Sequence, residues 1–144
     1  MSRIMLVTRP VPYRHWQAKA GRGLAAGTSA LGQIVTGLAD IEQSIATIVL
    51  TEKGSVPLAP EKCCRLQPFV DRRPDYAIPR IVREIGDAIR LWEPRIIVER
   101  VAVSREDFEH WRYPVWWRLR DDAAREIRQT IVSLPEERRP AGAA

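Results

Sequence analysis

Apolar residues recur with helical spacing through Ile78, Ile81, Val82, Ile85, Ala88, Ile89 and Trp92, so Pro79–Trp92 is expected to form an amphipathic helix. Pro79 suits the first helical turn, where a missing N–H is no loss. Pro94 disfavours the α conformation at Glu93 and stops the helix there. The pattern then changes: Ile96-Ile97-Val98 and Val101-Ala102-Val103 predict a strand over Arg95–Val103. Tyr113–Arg120 predicts a second strand, with Val115, Trp117 and Leu119 on one face and Trp116, Arg118 and Arg120 on the other. Upstream, Leu38, Ile41, Ile45, Ile48 and Val49 form another helical stripe. Asp40 with Gln43 three residues on is a capping-box arrangement, so that helix is expected to start near Asp40. Gly54 and Pro57 forbid its continuation and make Thr51–Glu61 a loop. An apolar connection through Leu66, Phe69 and Val70 leads into polar Asp71–Asp75.

The segment after Asp121 reads two ways. Ala124, Ile127, Ile131 and Leu134 fit one helical face, but a turn over Asp121–Ala124 and a returning strand, Ile127–Leu134, fit as well. A two-stranded sheet is marginal and wants a third strand, which tips the reading toward the strand. The expected fold is α+β, with two principal helices packed on a small antiparallel sheet.

With 144 residues the chain is long enough for one core. The first 39 residues hold Arg3, Arg9, Arg14, Lys19 and Arg22 and no acid, while the remaining basic and acidic residues cancel, so the net +5 resides in that segment. It is also rich in glycine and shows little periodicity. Residues 1–36 are therefore expected to be a mobile basic arm, 37–134 the folded domain, and 135–144 a disordered tail. Such an arm suits nucleic acid or an acidic protein surface, and a solubilising tail that orders on a partner fits at least as well. The balanced body argues against a dedicated DNA-binding domain, and nucleic acid is a minor expectation. No apolar run approaches a membrane span and no signal-peptide core is visible, so no membrane partner is expected and synthesis in the cytoplasm is. Cys63 and Cys64 are adjacent, which strains a disulfide, and are expected as reduced, partly buried thiols.

Catalytic patterns are weak. Gly21-Arg22-Gly23-Leu24-Ala25-Ala26 has the letters of a dinucleotide fingerprint, but no apolar strand precedes it and no acid sits at the ribose spacing. His15 and His110 are the two histidines and lie far apart, leaving little for a metal site or a His-assisted nucleophile. Glu61 and Glu93 are the best carboxylate pair for glycoside hydrolysis, yet Arg95 would hold Glu93 ionised rather than raise its pKa for acid work. No enzyme activity and no cofactor are expected. At the helix-to-strand joint, Glu93 and Arg95 either pair with each other or both reach outward. Trp116, beside Arg118 and Arg120, is either covered by the chain itself or anchors a protein interface.

Two segments together resemble the phage baseplate assembly protein W family, the wedge subunits of contractile tails, with relatives in type VI secretion baseplates. The first runs through Asp40–Ile45, Leu50–Leu58 and Pro60-Glu61, and looks like that family's helix and its Thr-x-x-Gly-Ser loop. The second, Ile89–Ile96, matches its Glu-Pro-Arg signature between a helix and a strand. Trp16 and Val35-Thr36-Gly37-Leu38 are similar to Mu-like members. Ala59 replaces the family's usual Arg, and Lys62-Cys63-Cys64 replaces Phe-Gly-Ser. The resemblance covers roughly Val35–Val103 and implies a structural, non-enzymatic subunit. It implies that Glu93, Pro94 and Arg95 dock to neighbouring wedge proteins, with Thr51, Gly54, Ser55, Pro57, Pro60 and Glu61 presenting the loop. It further implies a sheet that seeds the tail sheath by sharing strands, contacts with tube or hub proteins, and residence in the virion baseplate after assembly in the host cytoplasm. Trp116 and Arg118 join this interaction set on their own residue chemistry. A lysozyme label borne by some relatives finds no catalytic constellation here.

Overall fold

The computed structural model describes residues 15–20, 32–105, 111–121 and 125–133. It divides into two compact units, residues 1–43 and 44–144.

In the first unit, β1 (Trp16–Ala18) pairs antiparallel with β2 (Ile34–Thr36), Trp16 opposite Thr36 and Ala18 opposite Ile34. Both strands lie within or at the end of the segment expected to be a largely irregular arm. Three-residue strands are too short to display a period of two, so periodicity could not reveal them. The remainder of the arm, the Gly21–Ala26 fingerprint letters and the 135–144 tail lie outside the described residues.

Helix α1 (Gly37–Leu50) begins at once after β2. It starts a turn earlier than the capping box predicts, and Gln43 does something else. Its amide accepts from Ala20 N–H (2.9 Å) and donates to Ala18 C=O (2.8 Å) and Gln17 Oε1 (3.1 Å), extending the hydrogen bonding of β1 sideways. Asp40, expected to cap the helix, is buried in the first turn. Ile41, Ile45, Ile48 and Val49 are buried as the stripe predicts, whereas Leu38 is exposed.

The second unit takes the rest of α1, a short α2 (Gln67–Val70), α3 (Pro74–Trp92), and the strands β3 (Ile96–Val101), β4 (Ser104–Arg105), β5 (Trp111–Leu119) and β6 (Arg128–Ser133). Helix α3 starts at Pro74 rather than Pro79, which corrects the predicted start: Pro74 fills the first-turn position and Pro79 lies inside. Pro79 leaves the carbonyl of Asp75 without its helical donor. Both residues are exposed, so water can take the place of that N–H.

Strand β5 is the centre of an antiparallel sheet. β3 and β4 run along one side of it and β6 along the other. The segment over 127–134 is thus a strand, Arg128–Ser133, as expected. Trp111, Tyr113, Val115 and Trp117 alternate inward and are all buried. Ile81, Ile85 and Ile89 of α3, Ile96 and Val98 of β3 and Val132 of β6 are buried as well and complete the apolar core. Each such large apolar side chain contributes about 1.5–3 kcal/mol relative to exposure. The indole N–H of buried Trp117 donates to Thr130 Oγ1 at 2.9 Å, so its polar edge is satisfied inside the core.

Candidate functional site

Glu93 sits where α3 ends, and its backbone N–H still donates to Ile89 C=O at 2.8 Å. Pro94 cannot extend the helix, so the chain turns and β3 begins two residues later. This turn places both side chains flanking the proline on the same side. Arg95 Nε donates to Glu93 Oε1 at 2.5 Å and its Nη2 to Oε2 at 2.7 Å, a two-pronged ion pair. Of the two arrangements open at the joint, the paired one is present.

The pair is asymmetric in its surroundings. Glu93 is 3% exposed, while about a quarter of the Arg95 side chain faces solvent. Burial alone would raise the Glu93 pKa. Hydrogen bonds from Arg95 and Ser44, with the Arg95 charge, outweigh it and hold the carboxyl below its ordinary value. One carboxylate thereby joins Ser44 of α1, the end of α3 and the start of β3. The end of β5 closes the same joint from outside: Arg120 N–H donates to Arg95 C=O at 3.0 Å, and Arg120 Nε donates to Pro94 C=O at 2.9 Å. Pro94 itself is exposed.

The Gly-Ser-Pro loop is built separately. Gly54 adopts φ +97°, a conformation L side chains rarely take. That turn brings Ser55 N–H (3.1 Å) and Oγ (2.7 Å) onto Glu52 C=O. Lys53 N–H donates to Cys64 C=O at 2.8 Å, and Glu52 bridges Cys64, which ties the base of the loop. Pro57, Pro60 and Glu61 are exposed, Thr51 is half-buried, and Leu58 projects almost fully into solvent. No contact joins this loop to Glu93–Arg95 through their side chains in the described hydrogen bonds and ion pairs.

Trp116 and Arg118 lie on the outward face of the sheet. Trp116 is half-buried and carries the Arg100 guanidinium over its ring at 5.1 Å from the centroid. Arg118 pairs with Glu99. Sequence reasoning missed Ser44, Glu99 and Arg100, and placed Arg120 beside Trp116 but not at the joint. Ser44 carried a faint signal, a hydroxyl beside the apolar stripe of α1. Glu99 and Arg100 carried none, because a bulge in β3 decides which way they point.

Little here can do bond chemistry. Glu93, buried and held ionised, is in the wrong state for a proton donor, and Glu61 stands in open solvent. Cys63 and Cys64 are free and fully buried, more so than expected; burial pushes the Cys64 thiol up to about 12, far from a reactive thiolate. His110 lies outside the described residues. Among the described residues no three His, Cys, Asp or Glu side chains gather as metal ligands, and no helix is long and apolar enough to cross a membrane. A cleft of about 460 Å³ between the end of α1, α2 and β5 is lined by Val49, Leu66, Val70 and Tyr113 with Glu52 and Asp71.

Comparison with known proteins identifies a family. A family model described as baseplate wedge protein gp25 matches residues 35–116, more than half of the chain. A crystal structure from Geobacter sulfurreducens, of a protein named after a tail lysozyme, superposes with a TM-score of 0.59 at 24% identity, covering 69% of this chain and 92% of that one. A chain of the baseplate complex from the type VI secretion system gives 0.53 at 13% identity, covering 67% and 90%. A chain of the postcontracted pyocin R2 baseplate gives 0.45 at 21% identity, covering 81% and 97%. The search of curated proteins gives no match.

Proposed function

Because the chain belongs to the baseplate wedge protein gp25 family, we propose that it docks to neighbouring wedge proteins in a contractile-tail baseplate and starts the tail sheath. Its role is structural, without a cofactor, and it resides in the virion baseplate after assembly in the host cytoplasm. The observation that carries the sheath step is the edge of β6. This strand pairs with β5 alone among the described residues, and its other side offers a row of backbone donors and acceptors. An open edge of this kind is a template on which a partner strand adds.

The Glu93–Arg95 joint and the 51–61 loop supply the wedge contacts in this reading. The joint is rigid because three elements meet at one carboxylate, and a rigid exposed turn loses little entropy on docking. Tube or hub proteins are further neighbours of the same assembly. The test is reconstitution of the full chain with the sheath subunit and the other wedge proteins of its own particle. Co-elution of a wedge complex, followed by sheath polymerisation from it, is expected. A chain that stays monomeric in the presence of all of these partners overturns the proposal.

A further inference from the structure

The bulge in β3 has a chemical result on the outer face of the sheet. Val98 lies opposite Trp117 and Arg100 opposite Trp116, so Glu99 is the extra residue. Without that insertion position 100 would stand opposite Val115, on the buried face. With it, Glu99 and Arg100 both point out, as bulges commonly re-aim side chains. The outward positions of β3 and β5 then bring Arg100 and Arg118 together beside the carboxylate of Glu99. Trp116 lies beside both arginines. Ile131, 57% exposed and opposite Pro114, adds an apolar margin.

We propose that this outward sheet face binds an acidic segment of a partner protein, carboxylates to the arginines and apolar side chains to Trp116 and Ile131. Charge complementarity names the occupant. Arg118 already takes a carboxylate, that of Glu99, through its Nε at 2.5 Å, which shows the recognition chemistry at work on this face. A guanidinium held over an indole by a cation–π contact can still offer N–H donors to a carboxylate, and Arg100 lies over the Trp116 ring at 5.1 Å from its centroid. The same contact speaks against nucleic acid, since Arg100 already lies over Trp116 where a base would stack. Arg and Trp with little Lys is the composition of a protein interface core.

The test reads Arg100 and Gln129, neither of which is a residue of the Glu93–Arg95 joint. The test uses the full chain, a fluorescent dodecapeptide of alternating glutamate and leucine, and a duplex DNA oligonucleotide, followed by anisotropy at low salt. Peptide binding should weaken as salt rises. Arg100→Glu should weaken it about tenfold, by losing one charge-assisted contact and adding a repulsive one. Arg100→Lys should keep most of it. Gln129→Glu, which only adds a charge opposite Trp116, should also weaken it and serves if Arg100→Glu does not fold. Three results overturn the proposal: no peptide binding, peptide binding indifferent to both glutamate variants, or DNA binding that those variants reduce more than peptide binding. None of them bears on wedge assembly, which the reconstitution above tests independently.

Discussion

Glu93 keeps a negative charge where a carboxylate without a partner would lose it, and Arg95 is the principal reason. Because its folded pKa is held below the ordinary value of 4.5, the stability it contributes is present above that pH and is lost as the pH falls through the folded pKa. Arg95→Ala removes one side of a buried pair and should cost roughly 3 kcal/mol at neutral pH, the low end for such pairs because Arg95 is partly exposed. The gap between wild type and variant should close as the pH drops below 4.5, where Glu93 no longer needs the guanidinium. Urea melts across that range measure it, and a gap that does not change with pH would show that the pair is not its source. Gly54 offers a second measurement. A Cβ there meets nothing within 4 Å, so Gly54→Ala tests the backbone alone, and φ +97° sets a cost of about 1–2 kcal/mol. A loss near zero by the same melts would mean that the loop relaxes out of its turn. The Glu-Pro-Arg letters were legible as a joint because proline and the change of period both mark it. That the charges pair inward was not legible, since it depends on Ser44 and Arg120 arriving from distant segments.

Elements with a strong period were readable: the α3 stripe, the alternation of β5, and the loop that Gly54 and Pro57 impose. Those decided by tertiary pairing were not. The short β1 and β2 exist through each other, and Gln43 follows β1 instead of capping α1. β6 stood between both patterns, since Ile127 and Ile131 satisfy a helical spacing, and its place beside β5 settles the matter. Its edge gives the element-scale prediction. In an antiparallel edge strand, successive N–H groups point alternately toward the partner strand and away from it. Gln129→Pro and Thr130→Pro therefore differ in kind: one removes a ladder bond to β5, the other an outward donor. Because Thr130 also accepts from the Trp117 indole, each proline variant is compared with alanine at its own position. One proline variant should melt clearly below its alanine reference. The other should melt close to its reference yet fail to polymerise sheath in the reconstituted wedge complex. Normal sheath growth from the well-folded variant would rule out strand addition at β6.

On the scale of the whole molecule, charge and fold are distributed differently. The +5 lies within the first 39 residues, whereas the sheet, the joint and the loop belong to an electrically balanced body. If wedge assembly belongs to the body, the arm's charge is dispensable for it. Replacing Arg3, Arg9, Arg14 and Arg22 with glutamine in the full chain tests this and keeps Lys19, whose ammonium donates to Gln33 Oε1 at 3.1 Å beside the β1–β2 pair. Any binding to duplex DNA that wild type shows should weaken with salt and fall sharply in the variant, because each neutralised phosphate contact releases a counterion. Co-elution with the other wedge proteins should persist, since every group argued to make those contacts is unchanged. Loss of co-elution with an unchanged melt would move the partner contact into the arm. Co-elution that survives while DNA binding disappears would leave the basic segment an electrostatic accessory to a subunit whose assembly is carried by its sheet edge, its joint and its loop.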